Sequence, residues 1–303
     1  MELSVVILNW NAGEDTLGCV RALASWKQLV PAVWVVDNAS SDDSPEMIAR
    51  EAPSVRLIRN PSNEGFGGGN NRGIEAALQT SDAPILLLNN DAQLSEAAAA
   101  QMLDTLQAHP EVGFVGPLLY SEDEPPRLLS AGGRNPIRHH ASHLTQLPTA
   151  APVRTVEYVP GTVLLIRAAV FREIGLLKED YFFTMEVAEL CMRAARRGYR
   201  SVVDCRARAT HAVEARPSWL RQTLYAYYII RNRFLLIRDS AARPRLLYQA
   251  GWALYSLVLA LKIRLSGKPH AARAVLMGLS DGLRGRFGGQ NERVLAQCQP
   301  EVA

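Results

Sequence analysis

Apolar and polar positions along the first 120 residues repeat one unit: a short apolar run, a polar tip, then a stretch of helical period. The runs at 5–8, 33–36, 55–58 and 85–88 predict strands; the stretches at about 16–26, after Ser44-Pro45, and at about 71–79 predict the helices between them. Such alternation predicts βαβ units on a parallel sheet. The run 85–88 has four apolar residues without alternation, the pattern of a strand buried on both faces. Ser95 caps the next helix, SEAAAAQMLDTLQAHP, and Pro110 stops it. Further strands are predicted at 112–119, in VEYVPGTVLLIR and in SVVDCRARATHAV, and a helix in YFFTMEVAELCMRAARRGYR that ends at Gly198. Residues 121–154, rich in Pro, Gly, Ser and His, have no period and predict a long excursion over the site or a variable surface loop.

The polar tips carry the candidate chemistry. Asn9, Asp37 with Asn38, Asn60, and Asn90 with Asp91 each follow an apolar run, and ligands in open α/β sheets sit beyond the carboxyl ends of strands. Asp91 leads this set; the alternative is a turn carboxylate that satisfies backbone amides. NPSNEGFGGGNNRG has four glycines within residues 65–69, which predicts either a cradle of backbone amides for an anion or a flexible loop. It is neither GxGxxG nor a P-loop. Glu186 and Glu189 stand three apart on one helical face, in a first turn that favours carboxylates whether or not they do chemistry. His139, His140 and His143 lack acidic or thiol partners at ligand spacing and are assigned no metal.

Composition adds a boundary. The chain has 303 residues, 48% hydrophobic and 21% charged, which excludes general disorder. The net charge of +3 conceals 13 Lys/Arg against 24 Asp/Glu in residues 1–189, net −11, and 20 against 6 afterwards, net +14. The two parts meet different partners. The four cysteines are scattered, so reduced thiols in a cytoplasmic compartment are expected, and the opening LSVVIL lacks the features of a signal peptide. From Trp219 the pattern becomes helical, basic and aromatic. Between Arg245 and Lys262 lie sixteen uncharged residues, short of the roughly 20 of a spanning helix. An interfacial helix on an anionic membrane is expected, with a buried helix or an oligomer contact as the alternative. No known nucleic-acid fold is evident, so no nucleic-acid partner is expected.

Taken together, VVILNWN, VVDNASSD, NEGFGGGNNRGI, LLLNND, the GTVLLIR strand, the FFTME helix, the ATH turn and the terminal DGLRGRFG resemble the inverting glycosyltransferases of family 2, closest to the bacterial rhamnosyltransferase-like branch. The resemblance covers roughly residues 3–215. It implies a GT-A fold, an α/β Rossmann-like mostly parallel sheet flanked by helices, as a catalytic domain over 1–215, followed by a helical basic appendage over 216–303, membrane-associated. It implies a nucleotide diphosphate sugar as donor, dTDP-L-rhamnose among the candidates, a glycan or lipid-linked glycan as acceptor, and a divalent cation, Mg²⁺ or Mn²⁺. The place of action is then the cytoplasmic face of the plasma membrane, in cell wall polysaccharide synthesis.

Residue by residue, the resemblance makes Asp37 the carboxylate that reads the nucleotide base; Asn9 and Asn90, polar tips of neighbouring strands, join it as nucleotide-sugar-binding candidates. It puts Asn63, Gly65 and Asn71 beside the ribose and diphosphate, Asp91 on the metal, and His211 as a further metal ligand. Hard carboxylate oxygens suit a cation that neutralises the leaving diphosphate. One position departs from the family. Relatives carry Glu-Asp at the start of the late helix, the aspartate being the general base, and here the pair is Glu186-Val187. Valine cannot accept a proton, so the role falls to Glu186 or Glu189, or the protein is a catalytically weak nucleotide-sugar-binding or scaffold protein of the same fold. A nucleotidyltransferase is disfavoured because no basic motif follows the first strand.

Overall fold

A computed structural model describes residues 2–147, 151–212, 218–240 and 243–299. The strands in chain order are β1 (Ser4–Asn9), β2 (Ala32–Asp37), β3 (Arg56–Arg59), β4 (Ile85–Leu88), β5 (Ala92–Leu94), β6 (Val112–Ser121), β7 (Leu128–Ser130), β8 (Val153–Val156), β9 (Val163–Ile166) and β10 (Arg200–His211). The helices are α1 (Gly13–Ala24), α2 (Ser44–Glu51), α3 (Gly65–Thr80), α4 (Glu96–Ala108), α5 (Ala168–Ile174), α6 (Glu186–Ala195), α7 (Trp219–Asp239), α8 (Arg245–Leu265), α9 (Pro269–Arg284) and α10 (Asn291–Gln297).

The strands form one sheet in the order β3-β2-β1-β4-β9-β6-β10-β5, with β7 added on β6 and β8 on β10. The parallel pairing expected from the βαβ alternation holds across β3, β2, β1 and β4. Beyond β4 the sheet is mixed: β9 runs antiparallel to both β4 and β6, while β6 and β10 are parallel. The reason is the path of the chain. VEYVPGTVLLIR supplies only the short β9, while β8 lies ahead of it and shares just Val156; β9 enters the middle of the sheet without a helical crossover to set it parallel.

The period-2 pleat decides the layers. Val5, Ile7, Val35, Leu86 and Leu88 face a core shared with Leu17 and Val20 of α1, Ile48 of α2 and Met102 of α4. Val6, Val36, Ile85 and Leu87 face the other way, onto Ile74 of α3, Val170 of α5 and Leu190 of α6. Both faces of the sheet are therefore covered. Local signals set the helix ends: Pro45 in the first turn of α2, Ser95 Oγ accepting from the amide of Ala98 at 3.2 Å for α4, and Gly285 at φ +74° closing α9.

The glycine segment is a correction. Gly65, Gly67, Gly68 and Gly69 belong to the first turns of α3 and form no loop, so the helix starts six residues ahead of the expected Asn71. The glycines serve packing. A Cβ on Gly69 would come within 2.5 Å of Leu8 Cδ1, and one on Gly65, at φ +73°, would run into the Phe182 carbonyl. Leaving out side chains lets α3 lie close on the tips of β1 and β2.

The basic C-terminal region has its own core. Residues Ile230, Phe234 and Leu235 of α7, Trp252 of α8, and Val275 and Leu279 of α9 pack together, and Tyr181, from the turn before α6, is buried among them. Phe182 inserts into a neighbouring cluster with Tyr227, Tyr228 and Val294. Burying a ring of this size contributes about 2 kcal/mol, so these helices are integrated with the first 211 residues rather than appended to them. α8 buries only Trp252, Ser256 and Ala260; Leu246, Leu247, Leu254, Leu257, Val258, Leu261 and Leu265 are exposed. With 21 residues it is long and apolar enough to cross a membrane by length and composition, exceeding the sixteen-residue stretch read from the sequence.

Candidate active site

The strand tips meet as the alternation predicts. In register, Asn9 lies beside Asp37. Asp37 Oδ1 accepts from Asn9 Nδ2 at 2.8 Å and from Ser40 Oγ at 2.6 Å; its Oδ2 accepts from the Ser40 amide at 3.2 Å. The network continues through Thr16, whose hydroxyl donates to Asn9 Oδ1 at 2.8 Å and accepts from Asn90 Nδ2 at 3.0 Å. Asn9, Asp37 and Asn90 thus belong to one hydrogen-bonded chain across three tips, and Thr16 links them. No sequence motif singled out Thr16; its place in the first turn of α1, directly after the β1 tip, was the available signal.

Asn38, also on the β2 tip, organises the start of α3. Its Oδ1 accepts from Asn60 Nδ2 and from the amide of Glu64, both at 3.0 Å. Its Nδ2 donates to Asn63 Oδ1 at 3.0 Å and to the Gly65 carbonyl at 3.1 Å, and Asn63 Oδ1 also accepts from the Gly65 amide at 2.9 Å. Asn63 and Gly65 are therefore together, as expected, with the next amide, Phe66, bonded to the Phe182 carbonyl at 2.6 Å. Asn71 faces elsewhere: it donates to the Leu177 carbonyl at 2.9 Å and accepts from the Leu177 amide at 3.1 Å, clamping the segment before α6.

Asp91 and His211 are brought together over 120 residues, Oδ1 to Nε2 at 3.1 Å, and the amide of Ala212 donates to the Asp91 carbonyl at 2.9 Å. Beside the pair opens a cavity of about 380 Å³ lined by Glu14, Asp15, Cys19, Asn90, Asp91 and Glu122 among others. An anion entering this space meets carboxylates, so the site suits a cation, or an anion that carries one with it. One carboxylate and one imidazole are the number of protein donors that Mg²⁺ or Mn²⁺ takes when phosphate oxygens and water complete its shell. No group of three or more candidate ligands occurs among the described residues.

The two glutamates of α6 separate cleanly. Glu189, 2% exposed, is fully engaged: Arg193 Nε and Nη2 donate to it at 2.9–3.2 Å, and Lys178 Nζ lies 3.4 Å away. Glu186, 5% exposed, has a buried Oε2 with no hydrogen-bond partner. Burial pushes its carboxyl from 4.5 up to about 7, because desolvation penalises the charged form. It lies beside Gly67 of α3 and directly follows Met185, which with Phe182 and Thr184 holds positive φ of 60–70°. Val187, where the resemblance leads to an aspartate, is buried beside Gly161 in the apolar core that Phe66 packs against.

The model of the family described as Glycosyl transferase family 2 matches residues 4–175. The low-salt glycan biosynthesis hexosyltransferase Agl10 of Haloferax volcanii is 24% identical over 295 residues, covering 95% of this chain and 92% of that one. The N-acetylglucosaminyl-diphospho-decaprenol L-rhamnosyltransferase of Mycobacterium tuberculosis is 26% identical over 234 residues, 69% of this chain and 75% of that one. Among solved structures, the mannosyltransferase PcManGT of Pyrobaculum calidifontis, in complex with GDP-Man and Mn²⁺, superposes with a TM-score of 0.60 at 16% identity, over 94% of this chain and 87% of that one. At that identity the likeness is one of fold, GT-A.

The Glu186 carboxyl makes stability depend on pH in a defined direction. The folded state holds this proton up to about 7 and the unfolded chain releases it near 4.5, so stability falls as pH rises between these values and levels off above. Glu186→Gln removes the penalty. Denaturant unfolding is expected to show the variant gaining on wild type from pH 5 to pH 8, by about 3 kcal/mol at most. A difference independent of pH would count against a carboxyl held protonated by desolvation.

Proposed function

The chain belongs to glycosyl transferase family 2, and from that premise we propose that it is an inverting transferase that moves a sugar, L-rhamnose from dTDP-L-rhamnose, onto a hydroxyl of a lipid-linked glycan. Glycosyl transfer as such follows from the family. The choice of donor and acceptor rests on the similarity to the mycobacterial rhamnosyltransferase, whose acceptor is a sugar on a polyprenyl diphosphate.

The observation that carries the mechanism is the buried Glu186 carboxyl, whose Oε2 has no hydrogen-bond partner, beside the donor-side helix α3. In an inverting transfer the acceptor oxygen attacks the anomeric carbon from the face opposite the diphosphate. The new carbon–oxygen bond forms as the bond to the diphosphate breaks, and the hydroxyl proton passes to a base. Glu186 is assigned that base, since its raised proton affinity matches a group that must take a proton near neutral pH. Glu189 is not given that role, because its carboxylate is already ion-paired with Arg193. Asp37 is assigned to the nucleotide base, held in orientation by Asn9 and Ser40, and Asn63 and Gly65 to the ribose and diphosphate side. A divalent cation, Mg²⁺ or Mn²⁺, held by Asp91 and His211, would neutralise the charge that develops on the diphosphate.

The second reading, a nucleotide-sugar-binding protein with little turnover, draws on Val187 sealed in the apolar core. A panel of nucleotide sugars with Mn²⁺ separates the two. Asp91→Ala is expected to abolish the Mn²⁺-dependent thermal stabilisation by a nucleoside diphosphate. Glu186→Gln should keep donor binding and lose transfer by about 10²–10⁴-fold. Donor binding by the wild type without transfer or slow donor hydrolysis would favour the binding protein.

We also infer that α8 docks on an anionic membrane. Its exposed leucines form an apolar face on a helix flanked by Arg245, Lys262 and Arg264, in a region of net charge +14 over residues 190–303. Each cation near such a surface contributes on the order of 1 kcal/mol, screened by salt. Sedimentation with phosphatidylglycerol vesicles should exceed that with phosphatidylcholine vesicles and weaken in Leu254→Glu/Leu257→Glu. Equal sedimentation with both vesicle types would refute the docking.

A further inference from the structure

Two adjacent polar side chains in the middle of α7 are aimed at the backbone just ahead of Glu186. Arg231 and Asn232 are both 0% exposed. The Arg231 guanidinium donates to the carbonyls of Asp180 at 3.0 Å and Tyr181 at 2.8 Å and to that of Gly288, and its Nε donates to Asn232 Oδ1 at 2.9 Å. Asn232 Nδ2 reaches the carbonyls of Tyr181 at 3.0 Å, Phe183 at 2.7 Å and Thr184 at 2.9 Å. Two hydrogens serve three carbonyls, so the amide is shared among them.

A cation in a core is costly unless its donors are used, and apolar residues of like volume commonly serve a core as well or better. Here the donors are spent on carbonyls, with Tyr228 stacked 4.7 Å from the guanidinium, and among the described residues no carboxylate is ion-paired with it. What they fix is a loop that resists its own conformation, since Phe182, Thr184 and Met185 all lie at positive φ without being glycine. The Phe182 carbonyl, which neither α7 residue takes, receives the Phe66 amide of α3. The loop is thereby anchored to the C-terminal helices on one side and to the donor-side helix on the other.

We propose that Arg231 and Asn232 are positioning residues for transfer: through the loop 180–185 they hold the Glu186 carboxyl in register with the start of α3. The proposal rests on Glu186 being the base, and it gives the C-terminal helices a part in the chemistry as well as in docking.

The test crosses Asn232→Ala with Glu186→Gln, using transfer from dTDP-L-rhamnose and, separately, thermal stabilisation by the nucleotide sugar. Asn232→Ala is expected to lower kcat by about 10²-fold, the cost of misplacing a catalytic group by around an ångström, while donor binding stays as in wild type. In the Glu186→Gln background the same substitution should add no further loss, because the group it positions is already gone. An undiminished kcat, or an equal fold-loss in both backgrounds, overturns the proposal in favour of a purely structural pair. Full turnover in Glu186→Gln alone overturns the base assignment first, and the positioning role falls with it. Should Asn232→Ala not fold, Arg231→Lys replaces it in the same cross. That variant keeps the charge and loses the fork that spans three carbonyls, with the same outcomes expected.

Discussion

The geometry of this protein depends on a loop that cannot hold itself. Three non-glycine residues at positive φ, each costing on the order of 1–3 kcal/mol, precede the helix that carries Glu186. The hydrogen bonds of Arg231 and Asn232, the burial of Tyr181 and Phe182 among the C-terminal helices, and the bond from the Phe66 amide together hold it. These contacts join regions that charge divides: the acidic first part supplies the loop and the basic second part fixes it. The charge boundary near residue 190 that composition marks is therefore no boundary of packing: Tyr181 and Phe182, ahead of it, are buried among the helices beyond it.

At the strand tips the logic is the same, with smaller parts. The tips of β1, β2 and β4 are cross-linked by Asn9, Thr16, Asp37 and Asn90, so that a carboxylate and an amide are oriented before any ligand arrives. The glycines of α3 bring that helix's first turn against Leu8 and the Phe182 carbonyl, where any side chain would force it away. Asp91 and His211 close the opposite flank, in acidic surroundings that favour a cation over an anion.

Much of this was legible in the sequence. The unbroken apolar run of β4 announced a strand buried on both faces, and the polar tips announced a shared site, because both follow from the two-residue period of a strand and the position of ligands in α/β sheets. The ion pair of Glu189 with Arg193 was readable too, since Arg193 stands four residues on along α6, the spacing of a helical ion pair. The glycine segment misled because glycine signals both freedom and close approach, and only the neighbouring strands decide between them. The antiparallel β9 and the clamp of Arg231 and Asn232 were beyond reach: each depends on contacts across tens of residues, and a buried arginine in a helix looks like any other basic residue on a basic face.

The central claim is that the transfer proton goes to Glu186. Its most direct test is the pH dependence of kcat under donor saturation. The account predicts a rate that climbs with pH through an apparent pKa of about 7 and then levels, the base being active only when ionised, with this limb missing from the residual rate of Glu186→Gln. A wild-type rate that is flat from pH 5 to 8, or a limb that persists unchanged in the variant, would contradict it.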